Sequence, residues 1–470
     1  MKILKKYQFG LLIILLLASC GKGFLEVAPK GSLIASKTVE YENMFYNSLA
    51  IGVDVPTVAL GDDAAMLSTY FESSPLRLQR IFRWDADFYE PEQTAAELQS
   101  PIASIYIYNK IINEVMDSKE GDEAYKSRIR AEAKASKAYF NMLLVNYYGK
   151  PYNPATSSSD TGIPLVKEAD VSATSFVRAS VKQVYDEMIT DLTEAIPLIP
   201  INQPHRQRMT KAAAEFTLAK LYWYQGNYSA ALEWINSGKM HLPTSFEVGI
   251  YDYNITYAIP TWSVPSGFNN IESLLARTSL CFWVNTSNNV LLAPWVADLF
   301  TPTDQRIKSF SIVPYQGTGT FPAQLRRRTG PFGAQVAQGV GLPDVELMKA
   351  ECEARLDKLS EASATLKTFR EKRMSKTEAA VMPAGKDDLI RFIIDERVRE
   401  FALYGLRWFD MRRLSKDPLF QSKVYQHIIW DASFVQPGKA LTTYTLEKDR
   451  LTLRFPLNVI SANPGMQNNP

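Results

Sequence analysis

Cys20 is the residue with the most defined chemistry in this chain. It closes Leu17-Ala18-Ser19-Cys20, behind a basic start, Met1-Lys2-Ile3-Leu4-Lys5-Lys6, and an apolar run from Phe9 to Ala18. A run of that length suits a signal-peptide core and is too short to cross a bilayer as a helix. Small side chains at 18 and 19 let a peptidase reach the backbone ahead of the thiol. The thiol would carry lipid, and the mature chain would begin there. The expectation is a lipoprotein signal peptide over residues 1–19, lipid on Cys20, and a mature chain 20–470 that is anchored to a membrane rather than spanning it. Cys281 and Cys352 complete the cysteines; they could pair in an oxidising compartment, but nothing in their spacing requires it, and two buried free thiols are the expectation.

A second concentration of reactive side chains lies at 395–413. Asp395 and Arg399 stand four apart, as do Glu396 and Glu400, and Asp410 and Arg413 stand three apart. Side chains at those spacings meet on a helix. Paired acids cleave a glycosidic bond when they flank an open cleft. Here they alternate with arginines at a packed helix end, which predicts a structural ion network and no catalytic residue. The sequence has no nucleophile elbow, no His-Glu-x2-His and no P-loop. His205, His241 and His427 are scattered and form no zinc pattern, so neither metal nor cofactor is expected.

Binding is the better-supported chemistry. Tyr and Trp offer a flat apolar face with a polar handle at little cost in rotamer entropy, which suits the C–H faces and hydroxyls of a sugar. Such residues serve a ligand only where irregular loops free them from the core. Two places qualify. One holds Tyr70, Trp84, Phe88 and Tyr89, with Arg83, Asp85 and Asp87 beside Trp84. The other holds Tyr251, Tyr253, Tyr257 and Trp262, followed by Phe268. Trp283 and Trp295 sit in apolar runs and are assigned to the core.

The elements that must position these residues are mainly helical. Apolar spacing predicts helices at Ser36–Leu49, Ile102–Met116, Ala124–Tyr148, the stretch after Ser180 and Asp387–Leu403. Gly149 and Pro151 stop the long one, and Ser180 with Gln183 forms a capping box. Ala219, Tyr222, Gly226, Tyr228 and Ala231 match the tetratricopeptide helix–turn–helix. A weaker copy runs from Leu347 to Arg373, with Asp357-Lys358 where the turn glycine belongs. Helical repeats of this kind bury their apolar faces by stacking. The fold class is thus mainly α, a tetratricopeptide-like scaffold over about 36–240 and 342–414, in one domain with a proline-rich irregular lobe over about 241–341. Residues 24–29, Phe-Leu-Glu-Val-Ala-Pro, read as an extended lead-in. Net charge is +2, which gives no pull toward nucleic acid. The one tight basic run, Arg326-Arg327-Arg328, reads as a solvated loop.

The order of these motifs resembles the SusD/RagB family of Bacteroidetes outer-membrane lipoproteins. Cys20 with Phe24-Leu25-Glu26 looks like the family start. Arg130–Ala133 through Ala138-Tyr139-Phe140 to Tyr148-Gly149-Lys150-Pro151 is similar to its long helix. Gly162–Leu165, Arg178–Leu198, Arg208–Ala231 and Val345–Arg373 follow in family order. Ile394–Phe401 with Gly405-x-Arg407-Trp408-Phe409-Asp410-x2-Arg413, and the end from Phe455 to Pro470, are the most characteristic parts. The resemblance implies four tetratricopeptide units plus a variable lobe. It implies a surface lipoprotein that binds oligosaccharide, or peptide as in the RagB branch. It also implies a partner, a SusC-like TonB-dependent β-barrel transporter that the protein covers. The starch-binding member uses an aromatic from the part of the chain that holds Trp84. A repeat adaptor without a small ligand is the reading from another class.

Overall fold

The computed structural model describes residues 35–470 except 48–49, 266, 330–334 and 434–437. The expected signal peptide, Cys20 and the expected lead-in lie outside the described residues. The helices of eight residues or more are α1 Leu76–Arg83, α2 Ala96–Glu114, α3 Glu123–Tyr148, α4 Val181–Ala195, α5 Lys211–Tyr224, α6 Tyr228–Met240, α7 Leu342–Arg355, α8 Leu359–Arg370, α9 Lys386–Phe401 and α10 Arg407–Leu414. The mainly helical repeat scaffold is as expected: α2 packs on α3, α3 on α4, α5 on α6, and α7 on both α8 and α9.

Local chemistry sets most of these boundaries. Asp122 caps α3 by accepting the amide of Tyr125 at 2.7 Å. In α4, the Gln183 amide donates to Ser180 Oγ at 3.2 Å and the Ser180 amide to Gln183 Oε1 at 2.9 Å, the predicted capping box. Gly226 turns the chain between α5 and α6 with φ +76°, a left-handed conformation that costs glycine little. In the second copy Asp357 takes the same role with φ +62°, which a short polar side chain tolerates better than most. Gly238 answers a different need. A Cβ there would meet the ring of Phe216 at 2.5 Å, so the close approach of α5 and α6 depends on its absence.

Two helix limits differ from the sequence reading. The first helix spans only Thr38–Asn43 and continues as a tighter turn to Asn47. Helix α2 starts at Ala96, ahead of Pro101. Proline removes one donor, but the turn before it is held from outside. Glu97 is fully buried and accepts the hydroxyls of Tyr89 at 2.5 Å and Tyr148 at 2.9 Å.

The irregular lobe draws on more than residues 241–341. Strands β1 Ala64–Leu67, β2 Leu291–Leu292, β3 Gln426–Trp430 and β4 Ala440–Thr445 form one sheet in the order β4-β3-β1-β2. Strand β3 runs parallel to β1, and the outer pairs are antiparallel. The pairings of β1 with β3 and with β2 join segments hundreds of residues apart and leave no local period to read. One apolar core extends from Ala35 to Met466, with a smaller cluster between α7, α8 and α9. Cys281 and Cys352 are both buried and free.

Candidate ligand-binding surface

Three of the acids at 395–413, Glu396, Glu400 and Asp410, are tied up in arginines. Arg397 reaches Asp344 at 2.8 Å and Asp410 at 2.9 Å. Arg413 reaches Asp410 and Glu351, each at 2.8 Å. Glu396 and Glu400 share Arg306, at 2.6 and 3.0 Å. Burial pushes the Glu396 carboxyl up, but Arg306, Arg399 and Arg370 outweigh it and hold its pKa down at about 2. One pairing differs from the sequence reading: Arg399 takes Glu396, one residue on, at 2.6 Å rather than Asp395. These side chains knit α7, α9 and α10 together, while Asp344 and Glu400 also line a cavity of about 120 Å³ with Glu272 and Tyr404.

The first aromatic group divides. Trp84 is 3% exposed. Its ring lies on His427 at 3.8 Å between centroids, and its Nε1 donates to Leu60 O at 3.0 Å. Tyr89 and Phe88 are also buried. Beside them Arg83 pairs with Asp85 at 2.6 Å, and Asp87 with Arg454 at 3.0 Å. Trp84 and Tyr89 are therefore core residues, out of reach of a ligand, because β3 lays His427 on Trp84 at the end of α1 and Glu97 of α2 takes the Tyr89 hydroxyl. Tyr70 differs. It is half-buried, with its hydroxyl accepting from Asn288 Nδ2 at 3.3 Å.

The second aromatic group packs on itself. Trp262 meets Tyr251 at 5.5 Å, Tyr253 at 5.7 Å and Tyr257 at 4.9 Å. The planes cross at 59° to 78° in these pairs. Crossed rings satisfy one another edge to face and form no flat platform. Tyr253 is buried beneath the Arg373 guanidinium, 4.0 Å from its ring. Tyr253 is thus a core residue too, while Tyr251 and Trp262 stay half-buried at the surface.

What Tyr70 faces is a surface that the sequence reading missed. Asn288 stands at its centre. It donates to the Tyr70 hydroxyl, accepts the Tyr315 amide at 2.7 Å, and donates to Tyr315 O at 3.3 Å. Asn289 donates to Ser74 Oγ at 2.7 Å, and Ser74 in turn to Tyr70 O at 2.6 Å. The Arg327 guanidinium lies 5.7 Å from the Tyr315 ring and donates to Val313 O and Asn285 O. Nearby on the same loops Phe282 is 51% exposed. Its amide donates to Asp54 Oδ1 at 2.6 Å. Two half-buried tyrosines and fixed amides therefore share one face, and the exposed Phe282 lies six residues before Asn288 on the same stretch of chain. That combination can stack on a sugar ring and hydrogen-bond its hydroxyls.

The arginine run is also less solvated than expected. Arg327 is part of that face, and Arg328 is buried, 3.7 Å from the Tyr404 ring. A signal for this surface was present in the sequence. Asn285-Thr286-Ser287-Asn288-Asn289 follows Phe282, and Tyr315 opens a run of Gln, Gly and Thr. Each is a polar loop that isolates an aromatic.

Comparison with known proteins agrees with the fold. Residues 24–223 match a family model described as SusD-like, starch-binding and associating with the outer membrane, and residues 342–470 match a model of the SusD family. No curated protein matches the chain. Among solved structures, a SusD superfamily protein from Bacteroides thetaiotaomicron is 17% identical with TM-score 0.72, covering 92% of this chain and 100% of that one. A putative sugar binding protein from Bacteroides vulgatus is 17% identical with TM-score 0.70, covering 93% and 99%. A laminarin binding SusD-like protein is 18% identical with TM-score 0.61, covering 92% and 97%. At these identities the likeness speaks to the fold alone.

Proposed function

Since the chain belongs to the SusD family, we propose that it is a surface lipoprotein, anchored through lipid on Cys20 to the outer membrane, that binds oligosaccharide and passes it to a separate transporter. The observation that carries the ligand class is the face made by Tyr70, Asn288 and Tyr315. It pairs aromatic rings with amide donors and acceptors on loops. The sugar-binding and laminarin-binding descriptions of two structural neighbours support the same class. The protein does not cut what it holds, since the acid cluster that invites an enzyme reading is neutralised within the scaffold.

Among the described residues no helix is long and apolar enough to cross a membrane. Capture is then useful beside a channel, and a SusC-like TonB-dependent β-barrel is the partner that the family resemblance implies. A stable complex of that kind buries at least about 1,200 Å².

The test of ligand class is calorimetric titration of the purified protein with neutral oligosaccharides, uronate-bearing oligosaccharides and peptides of similar length. Dissociation constants on the order of micromolar to millimolar are expected for an open, wet face. Binding to peptides alone would replace the glycan reading, and release of reducing ends would replace the non-enzymatic one. Pull-down of a tagged copy from gently solubilised membranes should recover a large β-barrel in near-equal amount. Mass spectrometry of the native N-terminal peptide should show acyl mass on Cys20.

A further inference from the structure

One cation of the ligand face has no carboxylate partner among the described residues. Arg327 is half-buried, and two backbone carbonyls fix its guanidinium. Its Nε donates to Val313 O at 2.9 Å and its Nη1 to Asn285 O at 3.3 Å. An arginine has five N–H donors, so most of the fork is left over. Burial pushes the Arg327 pKa down, and the titratable group that answers it is the Tyr315 hydroxyl, not a carboxylate. Outside the described residues the chain's sole acid is Glu26, and no further contact of Arg327 exists beyond those named.

The scaffold arginines are treated differently. Arg306, Arg373, Arg397 and Arg413 each meet at least two carboxylates. Around Arg327 the chain supplies few acids. Between Glu272 and Asp344 there are only Asp298 and Asp304, and Asp304 is taken by Arg306 at 2.7 Å. The loops that frame the face, 285–289 and 315–320, carry none. Asp54, whose carboxylate accepts the Phe282 amide at 2.6 Å, has the Arg77 charge beside it instead. A cation held in place by carbonyls, with donors to spare and no acid beside it, suits an anion that arrives from outside.

On the reading that this face binds oligosaccharide, we propose that its ligand is an acidic one, bearing a uronate carboxylate or a sulfate ester, and that Arg327 binds the anionic group. The guanidinium lies 5.7 Å from the centre of the Tyr315 ring. A sugar stacked on that ring therefore brings its own substituents within reach of the cation. Tyr315 is in turn held by Asn288, which also holds Tyr70, so ring and charge keep a fixed relation to one another.

The two parts divide the work of recognition. Stacking on tyrosine serves any pyranose, because every such ring has an apolar C–H face. The charge chooses among them. A hydrogen bond to an ionised group is roughly twice as strong as one between neutral groups, which is enough to rank ligands that share the same ring. Arg327 is thus a specificity-determining residue, and the tyrosines are not.

Calorimetric titration of the full chain with matched pairs of ligands tests this. One pair is an oligogalacturonate and the same oligosaccharide with its carboxyls reduced to alcohols. The other is a sulfated galactan oligosaccharide and its desulfated form. The acidic member of at least one pair should bind on the order of tenfold more tightly, and the pair that shows it tells carboxylate from sulfate. The preference should shrink several-fold from about 50 mM to about 500 mM NaCl. Arg327→Gln should erase both the preference and its salt dependence. Arg327→Lys keeps the charge without the planar fork and should retain part of both. Any loosening of the loop weakens both members of a pair alike, so the ratio within a pair reads recognition rather than folding. Equal affinity within each pair overturns the inference and leaves the oligosaccharide reading standing. A preference that Arg327→Gln leaves intact overturns it as well. Binding of poly-glutamate peptide with no binding of any sugar overturns both.

Discussion

The indole of Trp84 lies flat on the imidazole of His427, with centroids 3.8 Å apart and planes 13° apart. Phe82 covers the opposite face of the same imidazole at 4.3 Å. Three rings from two distant segments thus form one stack, which ties the end of α1 to strand β3. Trp84 also holds φ at +54°, a left-handed conformation that costs a bulky residue about 1–2 kcal/mol. The stack and the bond to Leu60 O offset that cost.

A first prediction follows from this geometry. Trp84→Ala should destabilise the protein by about 3–5 kcal/mol, as for other buried aromatics. Trp84→Gly should cost about 1 kcal/mol less than the alanine variant, because glycine relaxes the backbone. Neither should change the affinity of the folded protein for its ligand. Chemical denaturation with parallel titration reads all three. A glycine variant less stable than the alanine variant would remove the strain argument.

The second concerns pH. Burial pushes the His427 pKa down to about 4, against the two carbonyls of Gly61 and Phe82, each 2.7 Å from a ring nitrogen, which favour the charged ring. Its unfolded value is about 6.5. The folded pKa is the lower one, so the unfolded chain binds the extra proton. Stability from this group is present above about pH 6.5 and is lost as pH falls toward about 4, by roughly 3 kcal/mol in all. His427→Gln should flatten the fall of stability over that range relative to wild type. Equal slopes in the two proteins would show that the imidazole is not what titrates.

The third concerns the buried charges. Arg397→Met should cost about 3–5 kcal/mol, since Asp344 and Asp410 each lose one of the cations that neutralise them in a dry site. Replacing Arg397, Asp344 and Asp410 together by apolar residues of similar volume should cost less than the single change. Urea unfolding of the two variants decides it.

The fourth locates the ligand. Tyr315→Ala and Tyr70→Ala should each weaken oligosaccharide binding about tenfold, or about 1.4 kcal/mol. Asn288→Ala should weaken it further, because it removes the side chain that holds both tyrosines. Trp262→Ala should weaken binding less than Tyr315→Ala, since its ring is engaged edge to face by three tyrosines. Normal binding in both tyrosine variants would move the site elsewhere.

The amino-acid sequence by itself determined the helices, their caps and the repeat turns. Ser180 with Gln183, Gly226 and Gly149 act within a few residues of themselves, so their meaning is written where they stand. The ordered motifs from Arg130 to Pro470 likewise carried the family. Tertiary structure alone decided which aromatics face solvent. Trp84 and Tyr70 are both aromatic and both lie near irregular chain. Trp84 is buried because β3, more than three hundred residues away, lays His427 over it. Tyr70 keeps an open side because what meets it is the polar run around Asn288. Burial is a property of what a distant segment covers, and no local period records that.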